Sequence, residues 1–97
     1  MEQRDYYILL YDFYGNLLNN KQQECFEAYY FDNLSLQEIS ENLGVSRNAI
    51  HKMLINVQNK LLFYEGELRL FDKNKKLELI LSDVDKNLKD KIMNIFN

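Results

Sequence analysis

Residues 35–54 have the sequence SLQEISENLGVSRNAIHKML, and this stretch decides the predicted fold. Ser35 and Glu38 have the spacing of a capping box, in which each side chain accepts the other residue's backbone N–H at the start of a helix. Gly44 supplies the left-handed conformation that ends many helices, because glycine has no Cβ to clash. Ser46 is then placed to cap another helix. The stretch therefore predicts a short helix, a tight turn and a second helix.

The apolar pattern of the same stretch indicates that the two helices cross closely. A helix-turn-helix needs a small residue where its helices approach, and Ser40 lies at that position. Apolar residues face inward on both helices, namely Ile39, Leu43, Val45, Ile50 and Met53. The spacing therefore predicts a helix-turn-helix at residues 35–54.

Helical patterns also occupy the residues around this unit, with no proline and no clean period-two alternation to suggest strands. Apolar residues spaced by three and four predict a first helix over about 5–18. Asn19 and Asn20 predict the cap of a second helix that runs to about Phe31, with Gln22 and Gln23 placed to complete a capping box.

The apolar stripe that begins after Ser46 predicts one long fourth helix over about 47–70, which continues through Gly66 or bends there. The polar residues 72–76 predict a turn or a helix start, and Ser82 with Asp85 predicts the cap of a last helix. We expect an all-α fold, a helix-turn-helix bundle with an extended fourth helix and a C-terminal helical tail. The expected domains are a helix-turn-helix domain over 1–71 and a helical extension over 72–97.

Composition excludes several classes of protein. The 97 residues carry 12 basic and 15 acidic side chains, a net charge of −3, which does not suggest a generally basic nucleic-acid or membrane binder. One cysteine and one histidine permit no intrachain disulfide and no Cys₄, Cys₂His₂ or His₃ zinc site. The first residues lack the order of a signal peptide, and the longest apolar run is far too short to span a membrane. We expect a cytoplasmic protein with no cofactor, no metal, no small-molecule substrate and no membrane insertion.

Catalysis is the least favoured function. Cys25 and His51 could form a nucleophile–base pair, but Cys25 lies on a predicted buried stripe, where a free cysteine acts as a small apolar side chain. No polar constellation converges elsewhere in the sequence, so we predict no catalytic residue and no enzyme.

The candidate functional residues lie at the start of the fourth helix. Arg47, Asn48, His51 and Lys52 are predicted to face outward, and these residue types suit base edges and phosphates. The alternative is a solvated polar face, since residues 35–63 carry three basic and two acidic side chains and most DNA readers make many phosphate contacts.

The chain also resembles a known family, the YlxM family of small bacterial helix-turn-helix proteins. The residues that carry the resemblance are Tyr11-Asp12-Phe13-Tyr14-Gly15-Asn16-Leu17-Leu18, Lys21-Gln22, Tyr29-Tyr30, Leu34-Ser35-Leu36-x-Glu38-Ile39 and Gly44-Val45-Ser46-Arg47-x-Ala49-Ile50. The helix-turn-helix of this family is similar to the C-terminal promoter-reading region of bacterial sigma factors. Ser46, Arg47 and Asn48 fall where the sigma-like recognition helix begins, whereas His51 and Lys52 stand where the family pattern has an acidic or amide residue.

The resemblance implies a function. YlxM genes lie beside those for components of the signal recognition particle, which implies a non-enzymatic accessory or regulatory protein of that pathway. Such a protein would bind the particle's RNA or protein, or regulate its genes. The alternatives are a DNA-binding transcription regulator acting elsewhere through a recognition helix at 46–60, and a structural dimer whose helix-turn-helix is vestigial.

Self-association is the last expectation. The first helix is apolar around most of its circumference, and apolar residues recur along the tail as far as Ile95. One small core cannot easily cover this surface, so we expect a homodimer joined through the fourth helix and the C-terminal helices. The competing prediction is a monomer whose tail folds back over the first helix.

Overall fold

The computed structural model describes residues 2–95, and the fold over this range is all-α, as predicted. Its six helices are α1 (Gln3–Tyr14), α2 (Asn20–Tyr30), α3 (Leu36–Leu43), α4 (Arg47–Leu68), α5 (Leu70–Ile80) and α6 (Lys86–Met93). Short 3₁₀ turns follow α1 at Gly15–Leu17 and α5 at Leu81–Asp83. Residues 2–95 contain no strand.

The helix-turn-helix is formed by α3 and α4, and its predicted caps and turn are confirmed. Val45, which we expected to face inward, is instead 40% exposed. The Ser35 hydroxyl accepts the N–H of Glu38 at 3.1 Å, and the Glu38 carboxylate accepts the N–H of Ser35 at 3.1 Å. Gly44 ends α3 in the left-handed conformation, with φ 69°. The Ser46 hydroxyl accepts the N–H of Ala49 at 3.0 Å and caps α4.

Three polar side chains fix the connection between α1 and α2. Asn19 and Gln22 form the predicted capping box at the start of α2. Gln23, which we also expected at the box, instead donates to the carbonyl oxygens of Gly15 at 2.9 Å and Leu18 at 3.0 Å. The predicted end of the first helix at residue 18 is wrong, because the chain leaves α1 at Tyr14 and tightens into the 3₁₀ turn.

The predicted extent of the fourth helix is also wrong. α4 ends at Leu68, and the break falls at Arg69, which adopts the left-handed conformation with φ 53°. Gly66 lies inside the helix and does not end it. A continuous helix would have needed no new cap, whereas the break requires partners for the first N–H groups of α5.

Those partners come from Glu65 and Tyr14. The Glu65 carboxylate accepts the N–H of Phe71 at 3.1 Å and of Asp72 at 3.2 Å. The Tyr14 hydroxyl donates to Glu65 at 2.5 Å and accepts the N–H of Leu70 at 2.9 Å. Burial, together with the hydrogen bond to Glu65, raises the pKa of Tyr14 to about 12. A buried carboxylate and a buried phenol thus cap α5 from outside that helix.

The tail differs from the prediction mainly at its last cap. Of the two predictions for residues 72–76, the turn is not formed, and the helix start falls two residues earlier, at Leu70. Ser82 does not cap the last helix, because it lies in the 3₁₀ turn and its hydroxyl donates to the carbonyl oxygen of Leu79 at 2.8 Å. Asp85 is the cap, since it accepts the N–H of Asn87 at 3.4 Å. The domain boundary between residues 71 and 72 falls inside α5 and stays a prediction.

The core lies between α4 and the first three helices. Its largest fully buried side chains are Tyr14, Phe26, Leu10, Ile39, Ile50, Leu61, Val57 and Cys25. From the tail, Leu70 and Phe71 pack against this core, and the Phe71 ring lies edge-on to Tyr6 and Phe13 of α1. The chain measures 51 × 24 × 24 Å, so only the beginning of the tail folds back over α1 and the remainder extends the molecule.

Candidate nucleic-acid interface

The crossing of α3 and α4 places the first two turns of α4 at the surface. Ile50 and Leu54 are buried in the core, so the helix is held in one rotation about its axis. The predicted residues Arg47, Asn48 and His51 are all exposed, and Lys52 is exposed beside them. The structure therefore brings the four together on one outward face, and their contact with nucleic acid stays a prediction.

A shallow groove runs along one side of this face. It is lined by Arg47, Asn48 and His51 of α4 together with Leu36 at the start of α3. Three of its four lining side chains can donate hydrogen bonds, and Leu36 gives the groove an apolar wall. The groove can thus present donors to base-edge acceptors while excluding some of the surrounding water.

A second groove lies between α4 and the start of α2. Lys52 and Asn56 line it from α4, and Asn19, Lys21 and Gln22 line it from the other side. Lys21 therefore joins Lys52 and Arg47 in the neighbourhood of the α4 face. Cationic side chains of this kind are suited to contact phosphate oxygens on a nucleic-acid backbone.

Sequence reasoning missed Asn56 and Lys21 for different reasons. Asn56 lies eight residues after Asn48 and four after Lys52, so helical periodicity could have placed it on the same face. Lys21 belongs to another helix, and no local pattern connects it to the fourth helix. Its contribution follows only from the packing of α2 against α4.

The two carboxylates of α3 are already engaged. Glu38 belongs to the capping box, and these hydrogen bonds from the backbone and hydroxyl of Ser35 lower the pKa of its carboxyl group. Glu41 accepts a hydrogen bond from the Gln37 side chain at 3.1 Å. Both carboxylates therefore already accept hydrogen bonds from groups on α3 or at its start.

Cys25 and His51 do not form a nucleophile–base pair. Cys25 is fully buried in the core, and burial raises the pKa of its thiol. His51 lies on the exposed face of α4. Residues 2–95 contain no cluster of three or more histidine, cysteine or acidic side chains that could hold a metal ion. No helix within this range is long and apolar enough to cross a membrane.

Comparison with known proteins identifies relatives along the whole described chain. The family model UPF0122, described as "Putative helix-turn-helix protein, YlxM / p13 like", matches residues 1–95. A UPF0122 protein of Caldanaerobacter subterraneus subsp. tengcongensis is 48% identical over 69 residues, which are 71% of this chain and 59% of that protein.

Two further relatives match over a longer range. A UPF0122 protein of Clostridium acetobutylicum is 40% identical over 92 residues, which are 95% of this chain and 76% of that protein. One from Ureaplasma urealyticum serovar 10 is 44% identical over 93 residues, covering 91% of this chain and 94% of its own length. The helix-turn-helix built by α3 and α4 is thus the architecture that the family description names, and the chain belongs to the UPF0122 family of YlxM/p13-like proteins.

Proposed function

We propose that this protein is a non-enzymatic, cytoplasmic regulator that binds duplex DNA through the first turns of α4 and regulates genes of the signal recognition particle pathway. The observation that supports DNA binding is the joint exposure of Arg47, Asn48, His51 and Lys52 on the second helix of a helix-turn-helix. In that motif the second helix lies in the major groove, and its first residues contact base edges.

The shape of the surface favours DNA over an RNA duplex. An α-helix with its side chains is about 10–12 Å across, which matches the roughly 12 Å major groove of B-DNA. The major groove of an A-form RNA duplex is too deep and narrow for side chains to contact its bases. Arg47 is suited to guanine, Asn48 to adenine and Lys52 to a phosphate.

The pathway is proposed from the resemblance to the YlxM family, whose genes lie beside those for particle components.

The charge of the surface predicts how DNA binding should depend on salt concentration. Three cations, namely Lys21, Arg47 and Lys52, lie near the α4 face. Each phosphate contact contributes a slope of about −0.9 to the dependence of log K on log salt, so one protomer should show a slope near −3.

The test is DNA binding measured by fluorescence anisotropy, with labelled duplexes covering the upstream regions of signal recognition particle genes. Arg47→Ala with Lys52→Ala should weaken binding and reduce the slope by about two. A matched control is Lys73→Ala with Lys76→Ala, which removes two exposed charges from α5. Lys76 pairs with Asp72 at 3.1 Å, but this exposed ion pair contributes little stability.

The outcome distinguishes the proposal from its alternatives. If the wild type binds none of these duplexes at low salt, the proposed DNA function is wrong. Preferred binding to duplexes from unrelated genes would retain the DNA function and refute the proposed pathway.

A second candidate is direct binding to the particle's RNA or protein. The net charge of −3 favours the protein partner, because a reader of DNA or RNA is usually more basic than this chain. Binding to purified particle RNA or protein that survives the Arg47→Ala and Lys52→Ala changes would support this candidate and would place the contact elsewhere on the molecule.

A further inference from the structure

The two C-terminal helices bury little apolar surface of their own. α5 has 11 residues and α6 has eight, and neither helix contains a buried residue. Among residues 72–95 only Leu81, in the 3₁₀ turn between the helices, is buried. Isolated helices shorter than about 12–15 residues are marginal in water, and most helical stability in proteins comes from packing of an apolar face. Only the first turn of α5 packs on α1, so the rest of the tail needs another surface.

Four large apolar side chains of the tail are open to solvent. The exposed fractions are 73% for Leu79, 72% for Ile80, 51% for Leu88 and 79% for Ile95. Leu88 lies on α6, and Ile95 lies two residues past the end of that helix at Met93. Single exposed apolar residues are ordinary, but several close together in one short segment indicate an interaction site. We call these four residues the tail patch.

The chain exposes more surface than a compact monomer, and the surplus matches the area that one partner buries in a dimer. A compact monomer of 11.7 kDa exposes about 5,900 Å² by the usual scaling with mass, whereas this chain exposes 6810 Å². The surplus of about 900 Å² is close to the roughly 800 Å² that each partner contributes to a standard interface. The radius of gyration, 16.3 Å, also exceeds the roughly 12.5 Å expected for a compact chain of this length.

The charge pattern of the tail is complementary to itself. Residues 77–85 carry three carboxylates, Glu78, Asp83 and Asp85, and no lysine or arginine. Residues 86–95 carry three lysines and one carboxylate, a net charge of +2. A two-fold axis places the same surface on both partners, so the acidic segment of each protomer can face the basic segment of the other.

We propose that a second copy of this chain covers the tail patch, in a two-fold dimer that places residues 77–85 of each protomer against α6 of its partner. The contact buries Leu79 and Ile80 against the partner's apolar α6 face and brings opposite charges together around it. This proposal is independent of what α4 binds.

The first test is sedimentation equilibrium of the full chain from micromolar concentrations upward. The wild type should have twice the mass of one 11.7 kDa chain. Leu79→Ser with Ile80→Ser should halve that mass and keep the circular dichroism of the folded α1–α4 core, since both side chains are exposed in the protomer. A control is Leu62→Ser with Phe63→Ser, whose side chains are 41% and 62% exposed on α4 and which should leave the dimer intact.

The second test uses charge reversal and does not depend on apolar burial. One variant, Glu78→Lys with Asp83→Lys, makes both tail segments basic. The other variant, Lys86→Glu with Lys89→Glu, makes both tail segments acidic. Each should be monomeric alone, and an equimolar mixture should form a heterodimer, because each basic segment then meets an acidic one.

Three results would overturn the proposal. A single-chain mass for the wild type at every concentration would show that no second copy binds and that the patch serves a different partner. A dimer that survives Leu79→Ser with Ile80→Ser would place the interface elsewhere. Failure of the two charge-reversed variants to associate when mixed would refute the proposed pairing of segments.

Discussion

Replacing Tyr14 with Phe should lower the free energy of unfolding by about 2.5–4 kcal/mol, because this hydroxyl makes two hydrogen bonds at a buried junction. It donates to Glu65 at 2.5 Å and accepts the N–H of Leu70 at 2.9 Å. The change keeps the ring, so packing in the core is preserved. What is lost is a hydrogen bond to a carboxylate, worth about 1.5–3 kcal/mol, and a partner for a helix N–H, worth about 1 kcal/mol or more.

The assay is urea unfolding followed by circular dichroism, with Tyr64→Phe as the matched control. Tyr64 lies beside Tyr14, with ring centroids 6.0 Å apart, and its hydroxyl makes no hydrogen bond among residues 2–95. The control should change stability by less than about 0.5 kcal/mol. If Tyr14→Phe costs no more than the control, the hydroxyl does not cap α5 and our explanation of the break at Arg69 is wrong.

Three further predictions follow from the described side chains. Gly44→Ala should destabilise the protein by about 1–2 kcal/mol through left-handed strain alone, since a Cβ there meets no atom within 4 Å. Gly66→Ala, inside α4 and equally open, should instead stabilise it by about 0.5–1 kcal/mol, and equal urea midpoints for the two variants would refute both assignments. The lowered pKa of Glu38 means that its contribution to stability is full above about pH 4.3, the ordinary value, and is lost as the pH falls through the folded pKa. NMR titration of the Glu38 carboxyl should show this lowered pKa, and an ordinary value would contradict the capping box. The pKa of Tyr14 is raised to about 12, so its contribution is full below about pH 10 and is lost as the pH rises toward 12. Ultraviolet titration of Tyr14→Phe should show one fewer tyrosine in the high-pH part of the curve, and loss of a tyrosine from the part near pH 10 would be inconsistent with a buried, hydrogen-bonded phenol.

The helix-turn-helix could be predicted from sequence because its signals are local. Ser35 and Glu38 are three residues apart, and Gly44 alone accounts for the end of α3. The outward direction of Arg47 and Lys52 follows from the same periodicity that buries Ile50. Interactions over three or four residues along a helix can be recognised without knowing the fold.

The break between α4 and α5 could not be predicted in the same way. Arg69 is an unusual residue for a left-handed position, and the groups that support the break include Tyr14, 51 residues before Glu65. The addition of Lys21 to the candidate interface has the same cause, because it depends on how α2 packs against α4. In the tail, Ser82 and Asp85 both fit a cap, and the 3₁₀ turn after α5 decides between them.

The most direct test of the proposed DNA function is an NMR titration of ¹⁵N-labelled protein with a duplex from the upstream region of a signal recognition particle gene. We expect the largest amide shifts at residues 47–52, with smaller shifts at Lys21 and Asn56 across the second groove. Amides of α6 should stay unchanged, since they lie outside both grooves that line the α4 face. Shifts confined to α5 and α6, or the absence of any shift at low salt, would contradict the assignment of DNA binding to α4.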